Sequence, residues 1–439
     1  MKTNTNNLPL LSFILFILIA TLISSLSNMI SPNLIAISYY FGFGGDTTPL
    51  GVLTFSFTLA TGFFMLIFGY LADKIVRKWI VCAGAFIFSI FSTFTIIVPT
   101  GFMGYIIFFL ITVITGIGYG ALVPSIFSLI GDIISKESRS KGYSFFSIAS
   151  FFGIVVGTGL ATFVGSSDWR VPFFIIGLMG LLGALLFIFF KEPSRIGKDQ
   201  SYLLEKEGIE YTYRINFSDL RTIFKKKANI WLVINFVDNI PSGIILFLLY
   251  AYMEEYHGIP AEITIFVMLL ILIFIILGTI AFGIIGDKAF SKGNMRARVK
   301  LALFGNIFPI PFLFIALIIP FQAPNLFPGL LIWIILFMIG MFANGAVNGN
   351  WYATVADLNL PEHRGTVLAA SNFFDIIGRA IGPLVGAVIA DLFGYVFGMM
   401  TAIFAWVFIP FFWIPVLKNF MKELNETERI FQQRIEQMK

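Results

Sequence analysis

The sequence is poor in charge: only 12% of its 439 residues are Asp, Glu, Lys or Arg, against about 25% in an average soluble domain. It has one cysteine, Cys82, and two histidines, His257 and His363. A single cysteine excludes an intrachain disulfide framework, and these few residues argue against a zinc or haem centre. We therefore expect no metal site, no cofactor and no nucleic-acid partner, and most classes of soluble enzyme are excluded.

Apolar residues are abundant, at 58%, and they come in long runs. A helix needs about 20 apolar residues to cross a bilayer core of about 30 Å. Twelve such runs predict an all-α membrane protein with twelve transmembrane helices, and the first run is too long for a cleavable signal peptide. The predicted spans are 10–35, 50–71, 79–98, 103–130, 142–164, 171–190, 230–252, 263–285, 299–320, 327–355, 367–390 and 395–417.

The basic residues are distributed unequally between the predicted loops. Loops after even-numbered spans hold nearly all of them, whereas loops after odd-numbered spans hold only Arg170. Since basic loops stay on the cytoplasmic side, we predict a multi-pass protein of the cell membrane with both termini in the cytoplasm.

The two halves of the chain resemble each other. Seven residues of the first half recur 225 positions later, in corresponding spans and loops, which predicts two pseudo-symmetric six-helix halves. The predicted units are an N-terminal half (1–190), a cytosolic linker (191–229), a C-terminal half (230–417) and a solvated helical tail (418–439). The repeated residues are Gly120, Ala121, Asp132, Glu137, Arg139, Gly153 and Gly157, with Gly345, Ala346, Asp357, Glu362, Arg364, Gly378 and Gly382.

Two stretches resemble motifs of the major facilitator superfamily (MFS). The segment 69–78, Gly-Tyr-Leu-Ala-Asp-Lys-Ile-Val-Arg-Lys, is similar to the loop signature between its second and third helices, and 378–387 resembles its G-x-x-x-G-P-x-x-G-G element. The first half is most similar to Spinster-type members, although Ser27 and Asn28 stand where those proteins carry an Asp-Arg pair. The resemblance implies the MFS fold, with a central cavity lined by spans one, four, seven and ten.

Three charged residues lie at membrane depth: Asp238, Asp375 and Arg379. Such residues are expensive in a bilayer and usually mark function. Asp375 and Arg379 share one helix face, and Arg379 lies about 16 Å into span eleven. We expect Arg379 to attract an acidic group of the substrate and Asp375 to orient it or exchange a proton. The alternative is an internal ion pair that only fixes the helix.

Asp238 lies in a polar segment that begins at Asn235 and contains Pro241 and Gly243. Proline removes a helical hydrogen bond, so a discontinuous helix beside a cavity is predicted. Asp238, with no close cation in sequence, is the first candidate for proton coupling, and Asn235 is a candidate substrate contact. The alternative is a hydrogen-bonded residue at a kink.

Polar stripes on two further spans are candidate substrate contacts. Their members recur at helical spacing, and the alternative is hydrogen bonding between helices. They are Asn344, Asn348 and Trp351 in span ten, and Ser24, Asn28 and Ser31 in span one, with Tyr119 in span four.

Acidic and basic residues recur together in the predicted cytosolic loops. A carboxylate there can pair with arginine or with a helix N-terminus, so we predict a gating role; the alternative is simple anchoring of the topology. The predicted gating residues are Asp73, Arg77, Asp132, Glu137, Arg139, Asp287, Asp357, Glu362 and Arg364.

Together these features predict a secondary transporter that uses rocker-switch alternating access, and not an enzyme. The cargo is expected to be a small polar or amphipathic organic molecule with an acidic group, coupled to protons or another ion. The alternatives are a Spinster-like exporter of lysolipids or other amphiphiles and an uncoupled facilitator. We expect a monomer surrounded by membrane lipids.

Overall fold

A computed structural model of the chain describes residues 8–133, 139–190 and 217–438. In this part twelve long helical units follow one another, and a short helix, Phe217–Ile223, precedes the seventh. They are α1 (Leu8–Leu26, Ser31–Asn33 and Leu34–Tyr40), α2 (Thr48–Lys74), α3 (Arg77–Phe94), α4 (Gly101–Ile133), α5 (Arg139–Phe163), α6 (Arg170–Ile188), α7 (Lys227–Val233, Phe236–Asn239 and Ile240–Ala251), α8 (Ala261–Ser291), α9 (Ala297–Ile307 and Pro309–Ile318), α10 (Gly329–Asn344 and Ala346–Leu358), α11 (Pro361–Phe393) and α12 (Tyr395–Met438).

The helices have the length and composition of membrane spans. Eleven segments of the described chain are long and apolar enough to cross a bilayer, and Ile148–Phe163 of α5 is a shorter apolar helix. These helices are the twelve that the apolar runs predict, with ends that shift by a few residues. The largest shift is at α12, which runs on to Met438.

Repeated glycines set the helix packing in both halves. At Gly153 and Gly157 the backbone of α5 touches that of α1, because a side chain there would overlap the carbonyl oxygens of Thr21 and Ser25. The corresponding glycines, Gly378 and Gly382, bring α11 equally close to Phe236 and Ile240 of α7. The sequence repeat is therefore also a repeat of close backbone contacts.

Three helices of the C-terminal half, α7, α9 and α10, are broken, and the break in α9 falls at Phe308 before Pro309. In α7 a 3-10 segment, Phe236–Asn239, separates Lys227–Val233 from Ile240–Ala251, and Pro241 stands in the first turn of the latter. The predicted break in span seven is therefore present, since proline suits a helix start but not a helix interior.

The break in α10 falls at Gly345. A side chain at this position would overlap the backbone of α8 near Gly278 and Thr279. Close packing against α8 therefore coincides with the junction between the two segments of α10.

We call the end of the bundle with the loops 75–76, 292–296 and 359–360 the basic end, and the end with 41–47, 164–169 and 319–328 the opposite end. At the opposite end the two halves touch. The Ser31 hydroxyl in α1 donates to the carbonyl oxygen of Phe247 in α7, at 2.9 Å. Gly51 in α2 packs so tightly on Pro383 and Ala387 in α11 that no side chain fits.

The C-terminal tail is a helix, as predicted, but one of its faces is buried rather than solvated. Phe420 is fully buried, and the Glu423 carboxylate accepts hydrogen bonds from the N–H of Ala228 at the start of α7, at 3.2 Å. Lys226 donates to Thr427 in the tail, at 2.6 Å, and to the carbonyl oxygen of Leu358 at the end of α10, at 2.7 Å. The tail thus joins the basic ends of α7 and α10.

The contact at Gly378 can be tested by adding one methyl group. In Gly378→Ala the new methyl overlaps the Phe236 carbonyl oxygen, so we expect a loss of about 1–3 kcal/mol, as at other overpacked sites. The melting temperature of the purified protein measures this loss. Gly283→Ala is the control, because its methyl would meet no atom within 4 Å. Equal melting temperatures of the two variants would contradict the packing described here.

Candidate functional site

The three membrane-depth charges of the sequence meet in the structure. The break in α7 and the close approach of α11 at Gly378 place Asp238 and Asp375 near enough for their charges to interact. Arg379, one turn further along α11, lies within electrostatic range of Asp375, and Asn239 stands beside the same carboxylate. We call Asp238, Asp375 and Arg379 the central charge cluster.

Tyrosines from both halves face this cluster. Tyr119 in α4 of the N-terminal half interacts with the charge of Arg379 and lies beside Ser27 in α1. Tyr352 in α10 lies within electrostatic range of both Asp375 and Arg379, and its side chain is 52% exposed. The cluster therefore lies between the halves, where helices α1, α4, α7, α10 and α11 converge.

Arg379 has no carboxylate partner although it lies midway along a membrane helix. Its side chain is exposed, and no acidic group in the described part of the chain lies within 4.0 Å of it. The alternative of a helix-locking ion pair with Asp375 is therefore not formed here. Arg379 interacts with Tyr119 of the other half, and because a charged side chain is costly in lipid we expect this exposed guanidinium to face water.

The three residues of the stripe predicted on span ten do not share one exposed surface. Asn348 is exposed, but Asn344 donates to the carbonyl oxygen of Gly305 in α9, at 3.3 Å, and Trp351 is 7% exposed. Asn344 and Trp351 thus face neighbouring helices, whereas Asn348 does not. Of this stripe only Asn348 is exposed.

The stripe predicted on span one is mostly internal. Ser31 is buried and bonded to Phe247, Ser24 is 9% exposed, and the Asn28 amide donates to the carbonyl oxygen of Ser24, at 2.9 Å. Asn235 in α7 is 3% exposed. Ser31 thus joins the halves, as the alternative of hydrogen bonding between helices foresees, and Asn28 remains partly accessible.

Several predicted gating residues cannot be placed. Glu137 lies outside the described residues, and so do the side chains of Asp73, Asp132, Arg139 and Glu362. Arg77 is described and is 2% exposed. Its burial differs from the solvated position expected of a loop cation.

The other predicted gating residues are fixed within the C-terminal half. Arg298 at the start of α9 pairs with Asp287 in α8, at 2.7 Å, and with Asp357 in α10, at 2.6 Å. Arg364 donates to the carbonyl oxygens of Ala356 and Asn359, at 3.0 and 3.2 Å. These contacts tie four helices of one half, α8 to α11, together at the basic end.

Sequence reasoning gave Arg298, Tyr352 and Asn239 no role. Arg298 looked like one of many loop cations, and its partners lie 11 and 59 positions away. Asn239 adjoins the membrane-depth charge of Asp238, which was the signal available for it. Tyr352 adjoins only Trp351 of the span-ten stripe.

Neither histidine belongs to the central charge cluster. His257 is fully buried; its Nδ1 donates to the carbonyl oxygen of Phe321, at 2.7 Å, and its Nε2 accepts from the Tyr252 hydroxyl, at 2.9 Å. Burial lowers the pKa of this imidazole. His363 is also buried, 3.8 Å from the Asp219 carboxylate, and the described residues contain no group of three metal-ligating side chains.

The fold and the site now have a family context. The family model of the Major Facilitator Superfamily matches residues 16–383. The chain therefore belongs to the Major Facilitator Superfamily, a family of membrane transporters, as the loop signature and the repeat predict.

Individual relatives give a finer comparison. The chain is 30% identical to the quinolone resistance protein NorA of Staphylococcus aureus over 141 residues, 32% of this chain and 35% of NorA. It is 32% identical to Protein spinster of Drosophila melanogaster over 177 residues, 38% of this chain and 27% of that protein. The matches thus span about a third of the length of these relatives.

A solved structure shares the fold over nearly the whole chain. A bacterial homolog of the human lysosomal transporter Spinster, crystallised in an inward-facing and unoccupied conformation, aligns with a TM-score of 0.77 and 18% identity. The alignment covers 96% of this chain and 99% of the other. Together with Protein spinster it confirms the Spinster resemblance.

The Arg298 contacts predict how this end of the half is stabilised. Arg298→Met leaves the half-buried carboxylate of Asp357 without its partner, and we expect a loss of about 1–3 kcal/mol. The melting temperature of the purified variant measures it. Lys300→Met is the matched control, because Lys300 is exposed on the same helix. If both variants melt at the wild-type temperature, the Arg298 pairs are not stabilising.

Proposed function

We propose that this protein is a secondary transporter, not an enzyme, which moves a small organic solute with an acidic group by rocker-switch alternating access. The observation that carries the proposal is the exposed, unpaired guanidinium of Arg379 between the two halves. A carboxylate or phosphate would supply the opposite charge that the cluster leaves open. Asn348 and the two tyrosines offer polar contacts for the rest of the solute.

The direction of access is supported by where the halves touch. They are joined at the opposite end through Ser31 and Phe247 and through Gly51 and Ala387, so the solvent that reaches Arg379 enters from the basic end. By the distribution of basic residues this end faces the cytoplasm. In this proposal the conformation is a cytoplasm-facing state in the cell membrane, with both termini inside.

Proton coupling is supported by the charge of the cluster. Two ionised carboxylates and one guanidinium sum to one negative charge, which disfavours a bound anion. One proton on Asp238 or Asp375 brings the sum to zero. An anionic cargo is therefore bound more favourably together with a proton, and we propose Asp238 as the proton site because Asp375 lies nearer the arginine.

The remaining site residues have structural or gating roles in this proposal. Asp287, Asp357 and Arg364 hold the basic end of the C-terminal half as one unit, so that the half can rotate as a rigid body. A Spinster-like amphiphile exporter remains the second candidate, because Protein spinster is among the similar proteins. Its cargo would carry a long apolar chain beside the acidic group.

The anion site can be tested with matched pairs of compounds. Purified protein is heated with carboxylic acids, organic phosphates and lysophospholipids, each beside its neutral amide or ester. Ligand binding raises the melting temperature, so we expect stabilisation by acids and not by their neutral partners, and loss of that stabilisation in Arg379→Ala. If only the acids with a long apolar chain raise the melting temperature, the result would favour the amphiphile exporter.

Two further variants sharpen this test. Arg379→Lys keeps the charge and should retain part of the stabilisation, whereas Lys422→Ala removes an exposed cation of the tail and should behave as wild type. If no acid stabilises the wild type, or if Arg379→Ala responds as the wild type does, the anion site is wrong.

Proton coupling is tested in liposomes loaded with a pH-sensitive dye and the cargo found above. Wild-type protein should move protons with the cargo. Asp238→Asn should lose proton movement but keep the exchange of labelled for unlabelled cargo, because exchange needs no net proton transfer. Glu428→Gln, an exposed tail carboxylate, is the control. A wild type that moves cargo without protons would identify an uncoupled facilitator.

A further inference from the structure

One carboxylate at the opposite end has no part in the site described so far. Asp391 lies near the end of α11, in the C-terminal half, and its side chain reaches the start of α2 in the N-terminal half. It accepts hydrogen bonds from the N–H and hydroxyl of Thr47, at 2.9 and 2.8 Å, and from the N–H and hydroxyl of Thr48, both at 2.6 Å.

These contacts make Asp391 the N-terminal cap of a helix in the other half. The first N–H groups of a helix need acceptors from outside the helix, and helix N-termini favour negative charge. Thr47, the N-cap residue of α2, makes no capping hydrogen bond with its own side chain. The only carboxylate bonded to this helix start in the described structure comes from across the interface between the halves.

The surroundings favour this contact over any competing one. No lysine or arginine of the described chain lies within 4.0 Å of Asp391. The nearby ionisable groups that face it are acids or phenols, namely Asp46, Glu255, Tyr39 and Tyr395. The charge of Asp391 is thus compensated by the start of α2 alone.

The position of the cap matters for alternating access. Next to it, Gly51 of α2 packs against Ala387 and Pro383 of α11 without room for a side chain. Opening the opposite end must separate α2 from α11 at this point and break all four donor contacts together. Water can replace them on both sides, since the carboxylate and the helix start lie at the rim of the bundle, so the contact is reversible.

We propose that Asp391 is a latch residue, which stabilises the conformation closed at the opposite end by capping α2 across the halves. The inference rests on the alternating access proposed above but not on the cargo or on the role of Arg379. Loss of the latch should raise the population that is open at the opposite end, at the expense of the conformation described here.

The test is a distance measurement between the halves at the opposite end. Spin labels are attached at Met103→Cys and Phe327→Cys in a Cys82→Ala background, in lipid nanodiscs. Both positions are exposed, at 69% and 76%, and lie in different halves away from the latch. Double electron–electron resonance then gives the populations of short and long distances without any cargo.

In Asp391→Asn we expect the open-to-closed ratio to rise about tenfold, since charge-assisted hydrogen bonds are lost. Thr48→Val removes one donor and leaves the carboxylate in place, so it should shift the ratio less, in the same direction. If Asp391→Asn fails to elute as a folded monodisperse protein, the Thr48→Val variant alone tests the latch. Glu262→Gln removes an exposed carboxylate from the same end of the same half and should match the parent.

Two results would overturn the latch. One is a Thr48→Val distribution identical to the parent together with an unchanged, or unfolded, Asp391→Asn variant. The other is an equal shift in Glu262→Gln, which would assign the effect to net charge at this end. Neither result would bear on Arg379, because the labelled protein carries no cargo.

Discussion

A guanidinium at mid-membrane depth must be reached by water or by an opposite charge, since lipid supplies neither. Arg379 is exposed and has no carboxylate within 4.0 Å in the described structure. The break in α7 and the close packing of α11 at Gly378 are the features that place this arginine beside Asp238 and Asp375. The arginine, its two neighbouring carboxylates and the facing tyrosines form one cluster, and in the function proposed above its net charge selects the solute.

The two ends of the bundle are stabilised by different kinds of contact. At the opposite end the halves are held together by contacts between them, through Ser31 and Phe247 and through the capping of α2 by Asp391. At the basic end the described ionic contacts lie within the C-terminal half, where Arg298 joins α8, α9 and α10 and the tail joins α7 and α10. Rigid halves with a reversible contact between them are what a rocker-switch motion requires.

Much of this architecture follows from the sequence. Long apolar runs give the spans, Pro241 gives the break in α7, and the scarcity of charge singles out Asp238, Asp375 and Arg379. In the stripe on span ten, Asn344 bonds to Gly305 of α9 and Trp351 is buried, because the periodicity of one helix does not show which neighbours cover its faces. The partners of Ser31, Arg298 and Asp391 could not be predicted, because they lie on other helices whose relative position only the fold determines.

The most direct test of the central claim is an electron cryo-microscopy map of the cargo-free protein in lipid nanodiscs. The account predicts side-chain density for Arg379 that points into a water-filled cavity between the halves, with Tyr119 across from it and no direct contact to Asp375. Density that places the guanidinium against lipid, or in a closed ion pair with Asp375, would contradict it.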